Sequence, residues 1–232
     1  EMIVDKAIIH NEVKTISKHF LEKNKSAIQI AGSDPQEIKR TINILNRIDI
    51  IKHVNFNLGC PSSRVQENML GLALTQNYDL VKKCLFELIN YKHEVSVKCR
   101  LGLGMNEDKN YIFSYLNLFK DIGIKKVFIH CRNGVLNLDT KKNRTIPQIN
   151  YELFLECSKK FPEMELIPNG EVNDLETFNS FKSKNINKYM IGRQFAKDAL
   201  FLEKLKLEKI NDKTSLVLDS IKELDNYKYL NI

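Results

Sequence analysis

The chain lacks several features that would place it quickly. No run of about 18 apolar residues occurs, which excludes a membrane-spanning helix. The first dozen residues, EMIVDKAIIHNE, show no basic-then-apolar leader layout. No C-x-x-C pair exists among the 5 cysteines, at positions 60, 84, 99, 131 and 157. That odd, scattered set argues against a disulfide framework and against a Cys-rich zinc site, and it suits a reducing cytosol. No G-x-G-x-x-G follows a strand-like segment, so a dinucleotide-binding open sheet loses its usual signature. No Pro/Gly-rich linker, repeat or low-complexity tract divides the 232 residues. Charge of one sign is not in great excess either: 36 Lys and Arg against 29 Asp and Glu leave +7. Such a balance permits an anionic partner without requiring one. The hydrophobic fraction of 43% is enough for a real core.

What is present is alternation. Short β-branched runs at Ala27–Ala31, His53–Leu58, Val95–Cys99, Lys126–His130, Glu165–Asn169 and Lys188–Gly192 read as strands. Amphipathic stretches lie between them at Pro35–Arg47, Tyr78–Tyr91, Asp108–Ile122, Asn150–Lys160 and Asp174–Phe181. Strict alternation implies βαβ units and a parallel sheet. Polar residues collect at the carboxyl ends of these strands: Gln29, Asn57 to Cys60, Lys98 with Arg100, His130, Asn169-Gly170 and Gly192-Arg193. Strand ends converge on one face in a (β/α)8 barrel, where active sites are built. We therefore expect an α/β fold of TIM-barrel type. Six strands plus a stub at Glu1–Val4 fall short of eight, so the expected barrel lacks its first unit. Residues 1–196 are expected to form it, with residues 197–232 as a short helical tail.

Four features carry chemistry. Asn57-Leu58-Gly59-Cys60-Pro61 places a thiol in a constrained turn at a strand end. A buried free cysteine is the commonest fate of the residue, but this turn should aim the thiol out of the sheet, where it is an acid able to donate a proton. Lys98 and Arg100 set two cations two residues apart among Val95, Val97 and Leu101. A lysine so placed is costly to bury unless it meets an anion or a flavin-like ring. The Gly170 and Gly192-Arg193 turns fit a phosphate site, which barrels often form after their last strands. The aperiodic connection Cys131–Asn150 is long enough to be functional, and its segment Asp139–Arg144 offers cations for phosphates without aromatics for stacking.

The strings NFNLGCPSSRVQEN, VSVKCRLG, HCRNG, LDTKKNRTIP, IPNGEV and YMIGRQ, in this order, resemble the tRNA-dihydrouridine synthases. These are FMN-dependent enzymes that reduce uridines in tRNA. The resemblance runs from Glu1 to about Lys197, and GCPSSRVQ is its most specific block. The basic loop is most similar to the bacterial A-type branch, which acts on positions 20 and 20a of the D-loop. The resemblance implies that Cys60 is the proton donor to uracil C5. It implies that Gln29, Lys98, His130, Asn169, Gly170, Glu171, Gly192 and Arg193 bind FMN. It assigns tRNA contacts to Asn57, Lys141 and Arg144, and places Arg100 beside them. NADPH is the implied reductant, tRNA the partner, the cytoplasm the compartment and a monomer the assembly; no metal is implied. The family's A-P-M segment is not found, and the tail is shorter than the family's C-terminal helical domain. Two other readings stay open: an FMN barrel acting on a small pyrimidine, and an inactive RNA-binding remnant.

Overall fold

A computed structural model describes residues 2–11, 16, 26–198, 200 and 201. The chain divides into two compact units, Glu1–Gly170 and Glu171–Ile232. The division falls earlier than the boundary expected after residue 196. Nearly all of the expected tail, 197–232, lies outside the described residues.

The first unit holds six strands: β1 Met2–Val4, β2 Ser26–Ala31, β3 Ile51–Leu58, β4 Glu94–Arg100, β5 Lys126–His130 and β6 Glu165–Asn169. All neighbouring pairs are parallel. Their spatial order is β1-β2-β3-β4-β5-β6, the same as their order in the chain. A doubly wound sheet reverses direction at a switch point; this one never does. Sequential winding is the barrel pattern, so the unit is a partial (β/α) barrel.

Helices occupy the connections: α1 Asp5–His10, α2 Pro35–Leu45, α3 Ser63–Glu67, α4 Tyr78–Leu88, α5 Lys109–Ile122 and α6 Tyr151–Lys160. Their starts are written in the sequence. Asp34, Asn77, Asp108 and Asn150 each accept a backbone N–H in the first turn of α2, α4, α5 and α6. Pro35 opens α2, where its missing N–H costs nothing. In α5, Ile112, Tyr115, Leu116, Phe119 and Ile122 are buried at helical spacing, and Gly123 ends the helix at φ +93°.

The sheet has two chemically distinct faces. Val54, Phe56, Leu58, Val97, Cys99, Val127 and Ile129 alternate along the central strands and are buried. The residues between them are polar apart from Phe128, which stands in register with Lys98, and the register aligns them. Gln29 pairs with Asn55, which pairs with Ser96, which pairs with Lys126. Asn57 pairs with Lys98, and Arg100 pairs with His130, which pairs with Asn169. Period-2 alternation puts each set on one face, so every chemistry-bearing strand residue named above shares the polar face.

In the second unit, α7 Leu175–Lys182 is capped by Asp174, whose carboxylate accepts from Thr177 N at 2.7 Å, and α8 spans Arg193–Lys197. The strand expected at Lys188–Gly192 is not formed: only Met190 takes an isolated bridge. Aromatic packing wins over strand pairing here. Tyr189 lies 5.0 Å from Phe178 and 5.6 Å from Phe181, centroid to centroid, and so covers α7.

Candidate active site

The polar face is built in layers from the amino to the carboxyl ends of the strands. The lowest layer is ionic. His53 Nδ1 lies 3.7 Å from Glu94, and Lys126 bridges Glu94 and Glu165. The layer above is a relay of neutral side chains. Gln29 Nε2 donates to Asn55 Oδ1 at 2.7 Å, and Asn55 Nδ2 donates to Ser96 Oγ at 2.7 Å. Ser96 Oγ also meets His53 Nε2 at 2.5 Å. Burial and the nearby Lys126 charge work against protonation of His53, and although Glu94 opposes them its pKa is lowered.

Asn57 joins this relay to the thiol. Its Nδ2 donates to Gln29 Oε1 at 3.0 Å, while its Oδ1 accepts from Gly59 N at 3.0 Å and Cys60 N at 2.9 Å. The Asn57 amide therefore fixes the Gly-Cys turn, an Asx-type arrangement. Cys60 is half-buried. Its Sγ points at Ser62 Oγ, 3.6 Å away, and its carbonyl accepts from Leu72 N at 3.1 Å. The thiol packs with Met2 and Val4 against an apolar floor of Ala31, Val65 and Leu70. Gly71 must be glycine, because at φ +58° an added Cβ would sit 2.8 Å from the Cys60 carbonyl oxygen. The other four cysteines are buried, and burial pushes the Cys84, Cys99 and Cys157 thiols up to about 12.

Lys98 stands beside Asn57 in the register. Burial, helped by the Arg100 charge, pushes its ammonium down to about 8. It forms no hydrogen bond or ion pair among the described residues. Lys98 is half-buried, and a cation drawn partly out of water without an anion costs free energy, so this position is shaped for an acceptor supplied by a ligand.

Arg100 has a different placement. It is 5% exposed. Its Nε donates to Gly59 O at 2.9 Å, and Nη1 donates to Asn133 O at 2.9 Å and Asn143 O at 3.3 Å. The guanidinium thus pins the cysteine turn to the long loop. Burial and the neighbouring Arg132 hold it down to about 10.

The long loop is folded, contrary to its aperiodic sequence. Asn143 is fully buried; its Oδ1 accepts from Val135 N, and its Nδ2 donates to Val135 O and Leu138 O. Arg132, 2% exposed, donates to the carbonyls of Thr145 and Pro147. Asp139 caps a 3₁₀ turn at Lys142–Arg144, accepting from Lys141 N at 2.8 Å. Lys141 and Arg144 consequently stand exposed on a braced turn.

His130 lies in register with Asn169, and Cys131 N donates to Asn169 O at 2.9 Å. A Cβ at Gly170, φ +113°, would come within 2.7 Å of the His130 ring, so this glycine lets the turn close over the imidazole. Glu171, Gly192 and Arg193 belong to the second unit. There Glu171 adopts φ +51°, Gly192 caps α8 and Arg193 is an exposed first residue of that helix.

The structure therefore brings together Gln29, Asn57, Cys60, Lys98, Arg100, His130, Asn169 and Gly170 at one end of one face. Sequence reasoning missed the bracing residues Arg132, Asn133, Asn143 and Gln66. Only Asp139 ahead of its cations gave a signal, since Asp commonly starts such a turn. Among the described residues, no group of three or more His, Cys, Asp or Glu is placed to hold a metal ion, and no helix is long and apolar enough to cross a membrane.

The family model described as dihydrouridine synthase matches residues 1–229. A tRNA-dihydrouridine(20/20a) synthase of Pseudomonas putida is 27% identical over 196 residues, 84% of this chain and 58% of the relative. One of Pasteurella multocida is 30% identical over 196 residues, 84% of this chain and 59% of the relative. One of Yersinia pestis is 28% identical over 234 residues, 99% of this chain and 67% of the relative. The chain thus spans a little under three fifths of the length of the first two. With a family-model match across nearly its whole length, the chain belongs to the dihydrouridine synthase family.

Proposed function

We propose that this chain carries the reaction centre of an FMN-dependent tRNA-dihydrouridine synthase that reduces the C5=C6 bond of D-loop uridines, at positions 20 and 20a. The observation that carries the reading is the pairing of a half-buried Lys98, unpartnered among the described residues, with a thiol turn held by Asn57 on the same sheet end.

The residues present fit a flavin. Lys98 offers an ammonium to an acceptor edge, Gln29 offers an amide anchored by Asn55 and Asn57, and Gly170 leaves the His130 ring uncrowded. Asn169 and Gly170 add backbone groups at the same rim. When bound, FMN would supply the hydride for uracil C6 at the expense of NADPH. The chain's own task is the proton. Hydride addition at C6 leaves negative charge over C5 and O4, and Cys60 donates a proton to C5. The Asn57 amide holds the turn so that the thiol stays in place, and Arg100 ties that turn to the loop. Uracil must leave its stack to reach this depth. Lys141 and Arg144 supply phosphate contacts at the rim, and the protein works as a monomer in the cytoplasm.

Incubating the full-length natural protein with unmodified tRNA and NADPH tests the reading. Dihydrouridine in the nuclease digest, dependent on FMN, is expected at positions 20 and 20a. Reduction of free uracil with tRNA left untouched would contradict it.

A further inference from the structure

A half-open cavity of about 500 Å³ lies beside the strand-end site. One wall is α3 and the 3₁₀ turn Ala73–Gln76, which follow Cys60 in the chain. The other wall is Leu136–Thr140, which leads into the basic turn. Gln66 ties the walls together: its Nε2 donates to Pro61 O at 2.6 Å, and its Oε1 accepts from Asn137 N at 3.0 Å. The cavity thus lies between the segment carrying the thiol and the segment carrying the exposed cations.

Its chemistry differs from that of both neighbours. No lysine, arginine or histidine lines it, so it is not built for phosphate. Met69 and Leu138 give apolar surface. Met69 is 44% exposed and held at φ +54°. Acceptors surround this surface. Glu67 and Thr140 make no hydrogen bond or ion pair among the described residues, and Asp139 uses only Oδ1. Apolar area ringed by unused acceptors fits a flat, neutral group that donates hydrogen bonds. Its volume is within the range of small-ligand sites.

We propose that this cavity receives an unstacked nucleobase adjacent to the target uridine, and that it favours bases with an exocyclic amino group: adenine, cytosine or guanine. This rests on the RNA reading above. A strand with its phosphates on Lys141 and Arg144 and its target base at Cys60 has to cross the wall between them, and its next base faces the cavity. Adenine N6, cytosine N4 and guanine N2 each donate to a carboxylate such as Glu67; uracil has no amino group to do so.

The test uses full-length protein and D-arm RNA hairpins that carry one target uridine and A, C, G or U at each flanking position. Binding is read by fluorescence anisotropy, independently of turnover. At one flanking position the amino-bearing hairpins should bind about tenfold more tightly than the uridine hairpin. Glu67→Gln should remove that difference, and so should Thr140→Phe, which fills the cavity without changing charge. Equal affinities for all four bases, or a preference that survives both substitutions, would overturn the proposal. So would Glu67→Gln tightening every hairpin equally, because that is general relief of repulsion. If no hairpin binds better than an unrelated single strand, the RNA reading fails, and the cavity assignment with it.

Discussion

The two ends of the polar sheet face handle charge in opposite ways. At the amino end, Lys126 is flanked by Glu94 and Glu165, and Glu94 also faces His53. The cation there meets carboxylates that the protein itself supplies. At the carboxyl end, Lys98 and Arg100 sit four and six residues beyond Glu94 on β4, and among the described residues no carboxylate answers them. Arg100 compensates with three carbonyls, whereas Lys98 has none. The same strand β4 therefore holds a closed electrostatic system below and an open one above. Closed systems hold a fold together; an open one costs stability and is retained where a ligand completes it.

Substitutions at the two ends should break this contrast differently. The largest expected effect is at the reacting end. Cys60→Ala should lower dihydrouridine formation by about 10²–10⁴-fold, the usual weight of a positioned acid, with flavin content unchanged. Retained flavin matters, since joint loss of both would show a folding defect instead. Unimpaired product formation would remove Cys60 from the chemistry.

Asp5 offers a second open charge. It is 1% exposed, its Oδ2 has no partner among the described residues, and burial raises its pKa to about 6. The folded state then binds its proton more tightly than the unfolded state. Its contribution is present in full below pH 3.8 and is lost as pH rises through about 6. Chemical denaturation of Asp5→Asn should show a flatter pH dependence between 4 and 7, with a gain on the order of 2 kcal/mol at pH 7. Parallel curves for the two proteins would contradict the burial argument.

At the closed end, Glu94→Gln should destabilise by about 1 kcal/mol. The figure is small because Glu94 is 46% exposed and water already screens its pairs. Flavin binding should not change, and a loss of flavin there would erase the distinction between the ends. The smallest effect belongs to the rim. Arg144→Ala should weaken tRNA binding and reduce the slope of log K against log salt by about one contact. An unchanged slope would take Arg144 off the phosphates.

Much of this arrangement was legible in the sequence because it is local. Gln29, Asn57, Lys98, His130 and Asn169 stand at strand ends, and strand ends could be found from β-branched runs and Asp or Asn caps. Alternation implied a parallel sheet, and the polar residues at the strand ends pointed to a barrel rather than a doubly wound sheet. Tertiary pairing was not legible. Arg100 looked like a substrate contact by its neighbours in sequence, yet it reaches Asn143 across 43 positions. The fold of the long loop was not legible because Asn143 and Arg132 brace it with side chains that carry no periodic signal. Lys188–Gly192 has strand composition but lies beside Phe178 and Phe181, and Tyr189 packs on those rings. Asn57 was readable as a site residue, but not as the amide that orients the Cys60 turn.

Lys98 is a cation that folding leaves open among the described residues. Burial sets its pKa at about 8 against an ordinary 10.5. A depressed lysine pKa means that the unfolded state binds more protons, so flavin-free protein should gain stability as pH rises from about 8 to 10.5. The direct measurement is denaturation of flavin-free wild type and Lys98→Met at pH 7, followed by FMN titration. The account predicts a variant more stable by about 3 kcal/mol, without the alkaline rise, that no longer retains FMN. A variant less stable than wild type that still binds FMN would contradict it.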